Sequence, residues 1–250
     1  MAKKKGLEHI LTTSAGTEIA IINGLSGSNV YLLSNCKKKY LIDSSFEGDS
    51  EFIYKELKFN NIEKIDEILL THYHKDHSGG ASILAKKLNS KISISIEDNL
   101  IFEGKKQYIF LPKDIEQKRQ TFLNSSPMWK NCFSKSSDWY PKIDKILKTG
   151  DNIVDFEILI FPGHTEGTLV LYNPLDKILI SSDYLIYPKG VFPTFFKSFI
   201  KSVNVDIRKA EESTKKLLRL DFNTLLPAHG NYVKTGAKTI IKNSELYGDF

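Results

Sequence analysis

The stretch THYHKDHSGG, residues 71 to 80, places three histidines and an aspartate within six positions. Imidazole and carboxylate are the side chains that hold zinc or iron without thiolate. His72 and His74 stand two apart, so in an extended chain both project from the same side and can take one ion together. Asp76 and His77 follow where the chain must turn, and a turn can direct them to a second ion. Four such groups at a strand end would be costly to bury with no ion to satisfy them.

Three more candidates lie downstream. His164 follows the apolar run EILIF in FPGHTEG, Asp183 closes ILISSD, and His229 stands in LLPAHG, each where a strand-like run gives out. Taken singly, an aspartate after a strand is common turn chemistry, and an isolated histidine there is more often a hydrogen-bonded structural residue. Repetition at three strand ends points instead to one common centre. Of the six histidines, only His9 lies outside this arrangement, ahead of any regular pattern, and it reads as structural.

The elements that must position these groups are legible as short runs. TEIAIING, SNVYLLS and KYLIDSS are β-branched and apolar, ended by Gly, Asn or Asp, which predicts antiparallel strands joined by tight turns. DSEFIYKELKFNNI carries Phe52, Ile53, Leu57 and Phe59 at near-helical intervals. Ile68, Leu69 and Leu70 predict a buried strand immediately before the histidines. A helix begun by the small residues after His77 is expected over SGGASILAKKLN, with Gly79 and Gly80 letting loop and helix approach closely, and a strand over KISISIED. Strands return through DNIVDFEILIFPGH and GTLVLYNPLDKILISSDYL, and VDIRKAEESTKKLLRLD is a helix leading into FNTLLPAHG. Alternation of hairpin strands and helices in both halves fits two packed sheets with helices outside. The expectation is a single domain over 1–250 with a helical and aromatic insertion at about 100–150, holding Phe102, Tyr108, Phe110, Phe122, Trp129, Phe133, Trp139 and Tyr140.

Composition narrows the classes. With 41% hydrophobic and 26% charged residues the chain of 250 is globular, and no long apolar stretch marks a leader or a membrane span. A cytoplasmic, membrane-free protein is expected. The formal charge of +5 includes only three arginines, Arg119, Arg208 and Arg219, and the lysines are scattered, so nucleic acid is not an expected partner. NCKKKYLID reads as a solvated hairpin turn with Lys37, Lys38 and Lys39 at its tip. Cys36 and Cys132 are too few for a disulfide scaffold or a thiolate metal site. Oligomeric state, a dimer included, stays open.

The chain resembles the metallo-β-lactamase-fold hydrolase superfamily, in its glyoxalase II and lactonase-like branch. THYHKDH matches the His-x-His-x-Asp-His motif in full, and PGHTEG, SSD and PAHG match the later motifs in order, over about residues 18 to 232. The resemblance implies an α+β fold, a four-layer αββα sandwich with the site at one edge of the two sheets. It implies that His72, His74 and His164 hold a first metal, that Asp76, His77 and His229 hold a second, and that Asp183 bridges them. Asp43, in LIDSS, matches a position from which a carboxylate fixes the tautomer and orientation of a metal-bound imidazole. Two Zn2+ per chain are implied, with iron or manganese as alternatives. The implied reaction is hydrolysis by a metal-activated water, with Asp76 orienting it and collecting its proton.

Departures from particular branches narrow the substrate. The best-known zinc β-lactamases carry a cysteine in their site, which this chain lacks. Oxygen-reducing diiron relatives have Glu where His74 stands and add a flavin domain. Glyoxalase II is similar in all seven ligands but recognises glutathione through a helical region after the last histidine, where only 21 residues follow here. No basic, Gly-rich insertion resembles the RNA-grasping arm of the tRNA-processing nucleases. The aromatics of 100–150, with Tyr184, Tyr187, Phe192, Phe195 and Phe196 of YLIYPKGVFPTFF, suggest a small-molecule ester, thioester or lactone with an apolar acyl or aryl part. Lys189 is the lone charge among the latter. Tyr187 is placed to bond a carbonyl or leaving group. The alternatives are a mononuclear-iron persulfide dioxygenase using His72, His164 and Asp183, a zinc phosphodiesterase or nuclease, and a non-catalytic interaction protein on the same fold.

Overall fold

A computed structural model describes residues 6–107, 137–187 and 204–242. The strands are β1 (Gly6–Thr12), β2 (Glu18–Asn23), β3 (Val30–Ser34), β4 (Lys39–Ile42), β5 (Glu67–Leu69), β6 (Lys91–Ser95) and β7 (Lys145–Leu147), paired in that order in one sheet. A second sheet runs β8 (Asn152–Ile153), β9 (Phe156–Ile160), β10 (Leu169–Asn173), β11 (Ile178–Ser182) and β12 (Thr224–Pro227). Helices are α1 (Ser50–Phe59), α2 (Lys75–Ser78), α3 (Ala81–Leu88), α4 (Ile96–Phe102), α5 (Ile207–Arg219) and α6 (Ala237–Lys242). β1 to β4 are antiparallel neighbours, whereas β4 to β7 pair in parallel, as do β11 and β12.

Side-chain alternation explains why these strands form layers. Ile19, Ile21, Tyr31, Leu33, Ile42 and Leu69 of the first sheet meet Phe156, Ile158, Leu169, Leu171, Ile180 and Leu226 of the second. Their chain neighbours Ala20, Ile22, Val30, Leu32, Leu41 and Ile68 face outward, onto Ile53 and Leu57 of α1 and Ala81, Leu84 and Leu88 of α3. On the far side Val170, Leu179 and Leu225 pack under Ala210 and Leu217 of α5 and Ala237 and Ile241 of α6. The result is the expected four-layer αββα sandwich. Each fully buried branched side chain contributes about 1.5–3 kcal/mol, so continuous apolar runs were required in strands covered on both faces.

Several details differ from the sequence expectation. The strand over KISISIED stops at Ser95, whose Oγ accepts from the Asp98 backbone N–H and caps α4. Ile96 is consequently in a helix and exposed. Phe59 is 84% exposed, because it lies two residues past Leu57 and so on the far face of α1. A helix begins inside the histidine motif, at Lys75, before Gly79 and Gly80. The turn over Asn35–Lys38 is as expected: Asn35 Oδ1 accepts from the N–H groups of Lys37 and Lys38, and Lys39 opens β4. Of the aromatic insertion, Phe102, Trp139 and Tyr140 stack edge-on at 4.9 to 6.0 Å, with Phe102 and Tyr140 against the α1/α3 core. Tyr108, Phe110, Arg119, Phe122, Trp129, Cys132, Phe133, Lys189, Phe192, Phe195 and Phe196 lie outside the described residues. Among the described residues no helix is long and apolar enough to cross a membrane.

Candidate metal centre

β5 ends at Leu69, and Thr71 to Tyr73 is bent chain rather than the extended strand expected from the spacing of His72 and His74. The chain must bend there because α2 starts at Lys75, with His74 in extended geometry as the residue before its first turn. The bend itself brings the two rings together. His72 Nε2 lies 3.0 Å from His74 Nδ1 and 3.1 Å from His164 Nε2. His164 arrives from the end of β9, in the loop between β9 and β10.

Asp76 and His77, on α2, form the other half with His229, which follows β12. His229 Nε2 lies 3.3 Å from Asp76 Oδ2, and His77 Nε2 lies 3.6 Å from the same oxygen. Asp183, directly after β11, sits between the halves. Its Oδ2 is 3.4 Å from His164 Nε2, while Oδ1 is 3.3 Å from His77 Nε2 and 3.4 Å from His229 Nε2. Ligand atoms about 2.0–2.2 Å from one tetrahedral ion are separated by about 3.3–3.6 Å, close to these spacings. Three triads have all their ligand atoms within 4.8 Å of one another: His72, His74 and His164; His72, His77 and Asp183; Asp76, His77 and His229.

The polar chemistry of the cluster fits divalent cations. Asp76 Oδ1, His77 Nε2 and Asp183 Oδ1 are buried without a hydrogen-bond partner, which is costly unless a cation satisfies them. Burial, reinforced by the neighbouring imidazoles, holds His72 and His74 well below the usual imidazole range, and burial also lowers His164. These rings are neutral and keep lone pairs to donate. Burial opposes a proton on His77 and His229 as well, but Asp183 and Asp76 outweigh it and raise both. Burial alone would likewise raise the two aspartates. Instead the facing histidines pull Asp76 and Asp183 below the usual carboxylate range, so both are charged.

Neighbouring groups orient the rings. Asp43 Oδ2 is 2.8 Å from His77 Nδ1, and Asp43 is itself held by the N–H and hydroxyl of Thr71. With Nδ1–H donating to Asp43, His77 Nε2 is left to face the centre. His164 Nδ1 lies 3.1 Å from Asn204 Oδ1, the same device, and His164 N–H donates to Tyr184 Oη. Asn29 clamps the His229 loop: its N–H donates to Ala228 O, and its Nδ2 to Pro227 O and Gly230 O. Asp98 ties the two histidine loops of the first triad together. It accepts from Tyr73 N, between His72 and His74, and from Thr165 Oγ1 and Gly167 N, just past His164. Burial pushes its carboxyl up to about 7 against the pull of those three donors.

Sequence reading missed Asn29, Asp98 and Asn204. Asp98 looks like an ordinary acidic residue in a first helical turn, and nothing local marks the remainder. His9 is exposed, with Nε2 3.2 Å from Thr12 Oγ1, and takes no part in the centre. Tyr187 is half-buried. Its ring packs against the α5/α6 core cluster while its backbone bonds to His229 O and Asn231 N. Gly80 allows the close approach expected of it, since a Cβ there would meet Ser44 O at 2.4 Å.

The profile of the Metallo-beta-lactamase superfamily matches residues 23–229. A protein named Beta-lactamase-like protein 2 homolog, from Drosophila melanogaster, is 27% identical over 214 residues, covering 84% of this chain and 61% of its own. A hydroxyacylglutathione hydrolase of Bdellovibrio bacteriovorus is 26% identical over 211 residues, covering 81% and 65%. The chain therefore spans less than two thirds of the length of either relative. Among solved structures, AidC, a dizinc quorum-quenching lactonase, superposes with a TM-score of 0.63 at 19% identity, covering 93% of this chain and 95% of that one.

Proposed function

Given that the chain belongs to the metallo-beta-lactamase superfamily, we propose that it hydrolyses a carboxylic ester, thioester or lactone at a dinuclear zinc centre. The family and its clustered His and Asp groups make it a metal-dependent hydrolase. His72, His74 and His164 are assigned to one metal, Asp76, His77 and His229 to the other, and Asp183 to both. The observation that carries the dinuclear reading is Asp183, whose two carboxylate oxygens face opposite triads. Bound there, two divalent cations supply a Lewis acid for the carbonyl oxygen and make water nucleophilic at neutral pH.

The chain's own groups complete the proposal. Asp76 keeps Oδ1 buried and unpartnered while Oδ2 faces His229 and His77, so it can orient a water and receive its proton. Asp43 fixes the His77 ring. Tyr187, held beside His229 by its backbone, is assigned a hydrogen bond to the substrate carbonyl or leaving group. Carbonyl substrates are favoured by the relatives named as a hydroxyacylglutathione hydrolase and a lactonase. The donor set of imidazole and carboxylate also admits iron or manganese. The decisive experiment compares p-nitrophenyl esters of increasing acyl length, homoserine lactones, acyl-glutathione thioesters and bis-p-nitrophenyl phosphate on zinc-loaded protein. Highest catalytic efficiency is expected on a carbonyl substrate with an apolar acyl part. A phosphodiester in first place overturns the reading, and oxygen uptake on a persulfide by a single-iron form replaces it with a dioxygenase.

A further inference from the structure

Beside the first triad lies a cavity of about 170 Å³, lined among the described residues by Tyr73, Ile101, Val205, Glu97, Lys106 and Glu166, with Asp98 and Gln107. An apolar cavity of about 150 Å³ holds a benzene-sized group, so this one has room for a substituent of similar bulk. Its wall is continuous with the centre. Tyr73 stacks edge-on to His74 with ring centroids 4.9 Å apart, and Val205 N–H donates to His164 O.

The polar lining is unevenly satisfied. Lys106 and Glu166 pair with each other and cancel. Asp98 accepts three hydrogen bonds from protein donors. Glu97 is different: its Oε2 is buried without any partner. A buried carboxylate oxygen in that state costs free energy until a donor meets it, and a cationic donor satisfies it best. Tyr73, Ile101 and Val205 meanwhile offer apolar surface to the stem that would carry such a donor.

We propose that this cavity is a substrate subsite for an apolar stem ending in a protonated amine, with Glu97 as the specificity-determining residue. The inference rests on the carbonyl-hydrolase reading for its placement, since the stem enters beside the metal triad. It refines that reading from an apolar acyl part to an amine-bearing one. Glu97 belongs to α4, and its carboxylate meets the end of the substrate remote from the reacting carbonyl.

The test uses product-like ligands, so binding is read without turnover. On zinc-loaded protein, titration calorimetry compares 6-aminohexanoate with hexanoate, which share a carboxylate for the metals and differ at the far end. The amino ligand is expected to bind about tenfold tighter or better, the worth of one charge-assisted hydrogen bond. Glu97→Gln should shrink that ratio to within about twofold, and Glu97→Lys should reverse it, favouring adipate over 6-aminohexanoate. Equal or weaker binding of 6-aminohexanoate by the wild type overturns the proposal, as does a preference that survives Glu97→Gln. Absence of turnover on every ester, with the binding preference intact, would instead count against the hydrolase reading alone.

Discussion

Asp183 turns one carboxylate oxygen toward each half of the centre, and its neutral isostere separates charge from shape. In Asp183→Asn the amide keeps the volume after β11 but weakens the link between the triads and leaves His77 and His229 without their strongest counter-charge. Turnover on the best carbonyl substrate should fall by about a hundredfold or more, roughly 3 kcal/mol, while urea unfolding shifts by about 1 kcal/mol. A folded variant with wild-type metal content and wild-type rate would rule out the bridging role. Asp98 gives a pH signature of its own. Its folded carboxyl is raised to about 7 by burial, above the ordinary value near 3.8. Between those values the folded state holds a proton that the unfolded chain has released. The stabilisation relative to a non-titrating side chain is therefore present at acid pH and lost as pH rises through about 7, by at most about 4 kcal/mol. Unfolding of wild type and Asp98→Asn, compared in chelator at pH 5 and pH 8, should show wild type losing ground to the variant at the higher pH. A difference that does not move between the two pH values would mean the carboxylate stays ionised throughout.

Element positions decide how the loops reach the centre, and α5 does this for His164. Val205 and Asp206, leading into the helix, donate to His164 O and Gly163 O, and Ser213 donates to Pro162 O. Gly163 has φ +134°, and a Cβ there would lie 2.2 Å from Ala210 N on α5. Gly163→Ala should cost about 2–4 kcal/mol in urea unfolding and weaken metal retention at the His72, His74 and His164 triad. Wild-type stability would show that the loop moves independently of α5. The same elements explain what was readable beforehand. Strand ends were legible because runs such as ILISS, buried throughout, and EILIF, buried at Ile158 and Phe161 and half-buried between, break off at polar residues, and the ligands follow such breaks. The bend at Thr71 was not, because it depends on α2 starting at Lys75, a four-residue helix too short to leave a periodic signal. Asp98 was not, because its donors lie 25, 67 and 69 residues away in sequence. Tertiary contacts of that length leave no local pattern.

At the scale of the molecule, the centre lies where the two sheets meet at one edge. His72, His74, Asp76 and His77 follow β5 of the first sheet, whereas His164, Asp183 and His229 follow β9, β11 and β12 of the second. Metals held by these groups would tie the sheets together on top of the apolar contact between Ile19, Ile21, Tyr31 and Leu33 and their partners Phe156, Ile158 and Leu171. Because the cluster's own groups leave buried polar atoms unpartnered, a metal held by them would favour the folded state over the unfolded chain and stabilise it by mass action. Free metal at about a thousandfold over the dissociation constant adds about 4 kcal/mol per site, which for a chain of this size corresponds to a rise in Tm of about 8–16 °C. Melting followed by circular dichroism, before and after dialysis against chelator and again after zinc is restored, should show that loss and recovery. Elemental analysis of the restored protein should find close to two equivalents per chain, since seven first-sphere candidates exceed what one tetrahedral ion can use. A single equivalent with full recovery of Tm would reduce the centre to one metal. A Tm unmoved by chelation would mean that the sheets are held by their apolar faces alone and that the cluster is satisfied without a cation.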